Sequence, residues 1–300
     1  MVLMTADEYK SSLRDGRTVY YRGEKVDDVT SHPIISIAIE HACIDYEMAE
    51  SEEHRDIAVV RDENGNEFSR FYHIPRDQND LLMRSSLIEK STSLGGTLVV
   101  LVKEIGSDAL FALQLMASYM DKKNETKYLS RIKNFYQECR DKDLAVSVAQ
   151  TDVKGDRNKS PSEQEDPDLY VRVVDQDSSG ITIRGAKIHT SVSTNAHEII
   201  ILPTRNMKQG EEEYAIACAV PANATGLTMI ASGYGSREGN EFENPISSKH
   251  KMMETLTIFE DVKVPWDRVF LNGEVEMAGP LAKLFVEFHR FTAVSYKLPL

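Results

Sequence analysis

The sequence has little cysteine, no long hydrophobic run and no excess of positive charge. Its three cysteines, Cys43, Cys139 and Cys218, are odd in number and far apart, which excludes a disulfide framework. No CxxC motif or cysteine–histidine pair has the spacing of a zinc site, so we predict no metal. The longest apolar runs, such as 98–102 and 199–203, are too short to span a bilayer, so we expect no membrane association.

The charge balance is acidic, with 35 Lys and Arg against 48 Asp and Glu and a formal net charge of −13. Such a chain repels phosphate backbones, so no nucleic-acid partner is expected. The N-terminal segment carries early acidic residues and lacks an apolar signal-peptide core, so we expect a cytoplasmic protein. With 300 residues, 41% of them hydrophobic and 28% charged, the composition is that of an ordinary globular protein.

The apolar pattern changes near residue 145. Before it, helical spacing predicts a helix capped by Thr5 and a second one opened by His32 and Pro33, with a short hairpin or loop at 19–29 between them. Further helices are predicted over 79–102, with an interruption at Gly95 and Gly96, and over 107–122 and 125–142. After it, β-branched runs at 169–175, 181–189, 198–202, 214–220 and 255–259 predict an antiparallel sandwich or barrel. Helical spacing returns near Val275.

Two polar segments are candidate ligand sites. In the first, a tight turn at Gly155 could let backbone N–H groups and nearby cations surround a phosphate or a heteroaromatic ring edge; it comprises Gln150, Thr151, Asp152, Lys154, Gly155, Asp156 and Arg157. The second follows a strand and comprises His189, Thr190, Ser191 and Val192. A solvated loop and an ordinary turn are the alternative interpretations of these segments.

Two single residues are also candidates. Glu254 enters an apolar strand and could act as a general base, or could be a surface carboxylate paired with a lysine. His289 lies among phenylalanines on the last predicted helix, where a hydrogen-bonded core histidine is the commoner case.

Several motifs, in the same order, resemble one flavoprotein family. They lie at 4–17, 151–157, 166–169, 185–190 and 259–270, and the resemblance covers essentially the whole chain. The family is that of 4-hydroxyphenylacetate 3-hydroxylase and 4-hydroxybutyryl-CoA dehydratase. The segments 154–157 and 195–198 look closer to the dehydratase branch.

The resemblance implies an α+β fold like that of acyl-CoA dehydrogenases. It places an N-terminal helical domain at 1–144, a β-barrel at 145–273 and the start of a largely missing C-terminal helical bundle at 274–300. It also implies non-covalent FAD and a homo- or heterotetramer, and a separate C-terminal chain is a further partner to consider. By resemblance 150–157 and 189–192 contact FAD, with Thr190 near the reactive ring edge.

The resemblance also assigns catalytic positions, namely an acid/base role to Glu254 and active-site positions to His289 and Lys297. The dehydratase holds a [4Fe–4S] cluster with three cysteines and one histidine. His289 matches the histidine, but the cysteine positions correspond here to Leu94, Leu98 and Tyr296, so we predict that no cluster is bound. A tyrosine of that branch corresponds to Ala293. The substrate-side Arg, Tyr and His of the hydroxylase branch fall near Lys90, Leu94 and Val148.

These expectations lead to one main functional hypothesis and two alternatives. The main one is an FAD-dependent oxidoreductase, resembling a monooxygenase, that receives reduced flavin from a reductase and acts on a small molecule such as a phenol. The first alternative is a cluster-free dehydratase or isomerase acting on an acyl-CoA ester. The second is a non-catalytic half that needs a partner chain.

Overall fold

Helices form most of the first half of the protein. The computed structural model describes residues 3–124, 126–232 and 241–297. Its helices in that half are α1 (Ala6–Ser12), α2 (Ile35–Glu50), α3 (Arg55–Ala58), α4 (Gln78–Leu94), α5 (Glu104–Asn124) and α6 (Tyr128–Asp141). A later helix, α7 (Val275–His289), runs into a 3₁₀ helix, Arg290–Lys297.

Local signals explain where several helices begin and end. The Glu8 N–H donates to Thr5 Oγ1 at 3.2 Å and the Thr5 N–H donates to Glu8 Oε2 at 2.8 Å, which confirms the predicted capping box of α1. The helix predicted over 79–102 ends at its predicted interruption, because α4 stops at Leu94, and it does not resume before α5 begins at Glu104. Gly96 follows with a φ of +63°, a conformation that a helix cannot continue through.

Twelve strands are present in the described part of the chain. They are β1 (Thr18–Tyr21), β2 (Glu24–Val26), β3 (Val59–Arg61), β4 (Glu67–Ser69), β5 (Val146–Ala149), β6 (Arg172–Gln176), β7 (Gly180–Ser191), β8 (Glu198–Ile201), β9 (Ile216–Pro221), β10 (Leu227–Ala231), β11 (Glu254–Pro265) and β12 (Val269–Asn272). They form a six-stranded sheet in the order β2-β1-β10-β11-β7-β6, a four-stranded sheet in the order β12-β9-β8-β5, and the pair β3-β4.

The strand pairing differs from the predicted barrel. Across residues 3–124, 126–232 and 241–297, the hydrogen-bonded ladders stop at β2 and β6 in one sheet and at β12 and β5 in the other, so both sheets are open. The short hairpin or loop predicted over 19–29 is a hairpin formed by β1 and β2. It joins the large sheet, where β1 runs parallel to β10, a pairing that the sequence did not predict. Strand periodicity gives no information on such long-range pairing.

The four-stranded sheet lies between two hydrophobic clusters. Along β8, Ile199 and Ile201 pack into a cluster that includes residues of α1, α2 and the large sheet, whereas Ile200 packs into one that includes residues of α5, α6 and α7. Helix α5 approaches β5 closely, because a Cβ at Gly106 would lie 2.3 Å from the Val146 Cβ. Covered on both faces, this sheet is a rigid base for the loops at its strand ends.

A buried ion pair connects the helical layer to the N-terminal segment. Lys103, just before α5, donates to Asp143 Oδ1 at 2.8 Å, and both side chains are almost fully buried. The Lys103 Nζ lies 3.7 Å from the centroid of the Tyr46 ring on α2, and the Met4 N–H donates to the other Asp143 oxygen at 3.3 Å. One buried charge pair therefore links four segments of the chain.

His197 joins α1 to the start of β5, and its bonds make stability depend on pH. The Ala145 N–H donates to Nδ1 at 2.8 Å, and Nε2 lies 2.7 Å from Ser12 Oγ, whose own hydrogen bonds the Tyr9 carbonyl. The imidazole is therefore neutral with its proton on Nε2. Burial, with a smaller contribution from Arg17, lowers its pKa from 6.5 to about 4.

We expect the free energy of unfolding to fall as the pH drops from 6.5 towards 4. His197 has a pKa of 6.5 in the unfolded chain and of about 4 in the folded protein, so the unfolded chain takes up the proton first as the pH falls. The contribution of neutral His197 to stability is therefore complete above pH 6.5 and is lost on acidification towards pH 4. Its upper limit is about 3 kcal/mol. Urea titrations of the wild type and His197→Gln should show a stability difference that narrows towards pH 4. A difference independent of pH would contradict this assignment.

Candidate functional site

The two polar segments predicted from the sequence meet at one edge of the structure. Gln150, Thr151 and Asp152 follow β5, and the Ile188 N–H on β7 donates to the Thr151 carbonyl at 2.8 Å. Asp152 and Lys187 form an additional antiparallel bridge. The first candidate loop is therefore attached to the end of the strand that carries the second.

A buried lysine fixes this junction. Lys187 Nζ contacts Asp152 Oδ1 at 2.5 Å and donates to the carbonyls of Gln150 at 2.8 Å and Leu202 at 2.9 Å. The Thr204 hydroxyl bonds the Gln150 carbonyl at 2.6 Å and also contacts the Asp152 carboxylate. Burial lowers the pKa of Lys187, and the charge of Asp152 opposes that shift. The Asp152 carboxylate is thus engaged inside the protein and positions the loop.

Beyond Asp152 the loop turns towards solvent. Lys154 and Gly155 both have positive φ, +78° and +53°, and a Cβ at Gly155 would lie 2.5 Å from Leu169 Cδ1, so only glycine fits there without a shift. Asp156 bonds the Asn158 N–H at 2.9 Å and so stabilises the turn. Neither Lys154 nor Arg157 has an ion-pair partner among the residues that the structure describes. These two cations are available to an anionic ligand.

The end of β7 brings a carboxylate to the second segment. Glu254, the first residue of β11, pairs in register with Ser191. One of its oxygens lies 3.2 Å from His189 Nδ1, and the other accepts from Ser191 Oγ at 3.4 Å. His189 and Val192 have φ of +53° and +56°, so the chain leaves regular strand geometry here. The candidate base and the second segment therefore form one group.

Buried hydroxyls surround Thr190. Ser193 Oγ lies 3.1 Å from the Thr190 carbonyl and 2.7 Å from Thr255 Oγ1, which in turn lies 2.7 Å from Thr257 Oγ1. The hydroxyl of Thr190 itself is fully buried and has no hydrogen-bond partner in the described part of the protein. Ser193 lies in the polar run 189–197 that the sequence singles out, whereas sequence reasoning missed Thr255 and Thr257.

The other two candidate catalytic residues lie in the helical layer. His289, the last residue of α7, contacts Asp108 on α5 at 3.0 Å and stacks on Phe285, so its contacts are with a different group from that of Glu254. Lys297 ends the following 3₁₀ helix, and its side chain lies outside the described residues. Within the described ranges, helices long and apolar enough to cross a membrane are absent.

Known proteins resemble this chain along most of its length. The 4-hydroxybutyryl-CoA dehydratase/vinylacetyl-CoA-Δ-isomerase of Clostridium aminobutyricum is 34% identical over 96% of this chain and 60% of its own length. The oxygenase component of 4-hydroxyphenylacetate 3-monooxygenase from Thermus thermophilus is 30% identical over 91% of this chain and 56% of its own. The chain thus spans a little under two thirds of these relatives.

Solved structures agree with these sequence matches. The 4-hydroxybutyryl-CoA dehydratase from N. maritimus superposes with a TM-score of 0.90 at 34% identity, over 98% of this chain and 59% of that one. An oxygenase component of 4-hydroxyphenylacetate 3-monooxygenase complexed with FAD gives 0.88 at 29% identity, over 98% and 60%. The mixed α and β architecture is therefore that of these enzymes.

The resemblance inferred from the motifs is confirmed by a sequence model. The model described as "4-hydroxyphenylacetate 3-hydroxylase N terminal" matches residues 5–271, which include both candidate segments and Glu254. The chain belongs to the 4-hydroxyphenylacetate 3-hydroxylase family.

Proposed function

We propose that this chain is an FAD-dependent oxidoreductase, with FAD at the junction of residues 150–157 and 189–192. The observation that carries the proposal is the attachment of the two segments through the Ile188–Thr151 hydrogen bond. The family match adds that a related oxygenase component was solved with FAD. The domain limits, the tetramer, a separate C-terminal chain and the cytoplasmic location stay predictions.

The residues at the junction fit a flavin. The unpartnered hydroxyl of Thr190 can donate to a ring heteroatom, and such a buried group otherwise costs stability. Lys154 and Arg157 supply positive charge for the pyrophosphate, and the turn at Gly155 exposes backbone N–H groups near it. In this arrangement Asp152 and Lys187 hold the loop in place and leave the ligand contacts to Gln150 and Thr151.

Bound FAD would supply the two-electron chemistry, and this chain's residues would orient the ring and exclude water from it. A monooxygenase-like reaction on a phenol needs the flavin in reduced form, so we propose a reductase as a second component. One relative is named an FADH(2)-dependent monooxygenase, which supports this choice.

A cluster-free dehydratase or isomerase acting on an acyl-CoA ester is the second candidate. It is favoured by the position of Glu254, whose carboxylate lies beside His189 and Ser191 with about a fifth of the side chain exposed. A carboxylate so placed can remove a proton from a substrate and return it at a neighbouring carbon. The imidazole of His189 would keep its oxygens in position.

Titration of the protein with FAD, followed by flavin absorbance and fluorescence, tests the proposal. Thr190→Val and Arg157→Ala should each weaken binding about 5- to 150-fold if their hydrogen bonds contribute 1–3 kcal/mol. Glu254→Gln is the control, because it should leave FAD affinity unchanged while abolishing any proton removal. Wild-type protein that does not retain FAD, or unchanged FAD affinity in both Thr190→Val and Arg157→Ala, would contradict the placement.

A further inference from the structure

A second polar cluster lies where α5, α7 and the final 3₁₀ helix meet. Glu104 and Asp108 are four residues apart on α5, so their side chains project from the same face of the helix. His289 ends α7 and faces them, and one donor atom from each of the three residues lies within 4.8 Å of the other two. The family comparison assigns no role to either carboxylate.

The two carboxylates of this cluster are buried inside the protein. Glu104 and Asp108 are 0% and 1% exposed. Asp108 Oδ2 lies 3.0 Å from His289 Nδ1, and Asp108 Oδ1 accepts a hydrogen bond from the Arg84 guanidinium at 2.6 Å. Two carboxylates in a dry environment require compensating positive charge, and Arg84 supplies it for one of them.

The other carboxylate is incompletely satisfied. Thr292 donates to Glu104 Oε1 at 2.6 Å, whereas Glu104 Oε2 is buried and has no hydrogen-bond partner among the described residues. Burial and the neighbouring Asp108 raise the pKa of Glu104 to about 7. Glu104 thus carries a buried oxygen without a partner and lies beside a second carboxylate and an imidazole, an arrangement that a cation would complete.

We propose that Glu104, Asp108 and His289 bind one divalent transition-metal ion. Two carboxylate oxygens and one imidazole nitrogen are the ligands that Zn²⁺, Fe²⁺ and Mn²⁺ accept, and they are unlike the cysteine-rich set of an iron–sulfur cluster. This proposal departs from the prediction of no metal. His289 is 181 residues from Asp108 in sequence, so no local spacing reveals the ligand set.

The geometry needs only a small adjustment. Ligands bonded to one such ion lie roughly 3 Å apart, as the Asp108 and His289 atoms already do. Glu104 must move inward, and its Oε2 has no hydrogen bond to lose. A cavity of about 440 Å³, lined in part by Arg84, Asp108 and Phe288, lies beside the cluster.

Calorimetric titration of chelator-treated protein with Zn²⁺ and with Mn²⁺ alone tests the proposal without flavin or substrate. We expect one site, and Glu104→Gln should weaken it at least tenfold while keeping the bond from Thr292. Glu198→Gln is the matched control, because Glu198 is also buried but pairs with Arg268, so metal affinity should be unchanged.

The result is decisive whether or not every variant folds. His289→Gln is a second test at a partly exposed position, with a melting curve to verify folding. Wild-type protein without stoichiometric binding, or full affinity retained by folded Glu104→Gln and His289→Gln, would overturn the proposal. Since no flavin enters the experiment, its outcome is independent of the proposed function.

Discussion

Lys187→Met is expected to lower the free energy of unfolding by about 3–5 kcal/mol, because it leaves a buried carboxylate without its partner. The ammonium of Lys187 contacts Asp152 and two backbone carbonyls, and all of these contacts are lost in the variant. FAD affinity should fall as well, since the loop at Gln150 loses its anchor. Urea denaturation and FAD titration measure the two effects.

A matched variant separates this effect from simple loss of a lysine. Lys263 lies on β11 with an exposed side chain, so Lys263→Met should change stability by at most about 0.5 kcal/mol. The double variant Lys187→Met/Asp152→Leu should be more stable than Lys187→Met alone, since no unpaired charge remains. Equal losses for Lys187→Met and Lys263→Met would show that the ion pair is not important.

Asp143→Asn is expected to cost about 3–5 kcal/mol, although the change is nearly isosteric. Asp143 has a φ of +51°, a conformation that asparagine also tolerates, so the backbone can stay unchanged. What is lost is the negative charge opposite Lys103, whose side chain is fully buried against the Tyr46 ring. Thermal and urea denaturation should both report the loss.

Asp261→Asn is the control for that substitution. Asp261 also has a positive φ, +55°, and forms an ion pair with Arg184 at 2.6 Å, but both side chains are about half exposed. Solvent screens the pair, so its removal should cost no more than about 1 kcal/mol. A loss at Asp143 no larger than the loss at Asp261 would refute the role given to burial.

The helices and their ends could be predicted because their causes are local. The two residues of the capping box, Thr5 and Glu8, are only three positions apart. The glycines after α4 likewise end a helix regardless of distant contacts. The order of strands in the sheets could not be predicted, because β1 pairs with β10 through long-range hydrogen bonds that the periodicity of the sequence does not encode. For the same reason, the sequence could not show that both sheets are open.

The candidate site was found largely through family resemblance. Composition alone favoured a solvated loop at 150–157, and nothing local placed Glu254 beside His189, which depends on the register of β7 and β11. One missed residue had a readable signal: Lys187 continues the row of buried positions formed by Ile181 and Ile183 on alternate residues of β7. A lysine in such a row should have indicated a buried partner.

The parallel pairing of β1 with β10 has a consequence for how the protein is made. During synthesis, β1 and β2 leave the ribosome long before β10, the strand with which β1 pairs. The large sheet therefore cannot be completed until β10 and β11 are available. The early hairpin must stay unattached in the meantime, with one unpaired edge exposed to other nascent chains. Assembly of the sheet is therefore a late, slow event in folding, and the interval before it is when aggregation competes with the native state.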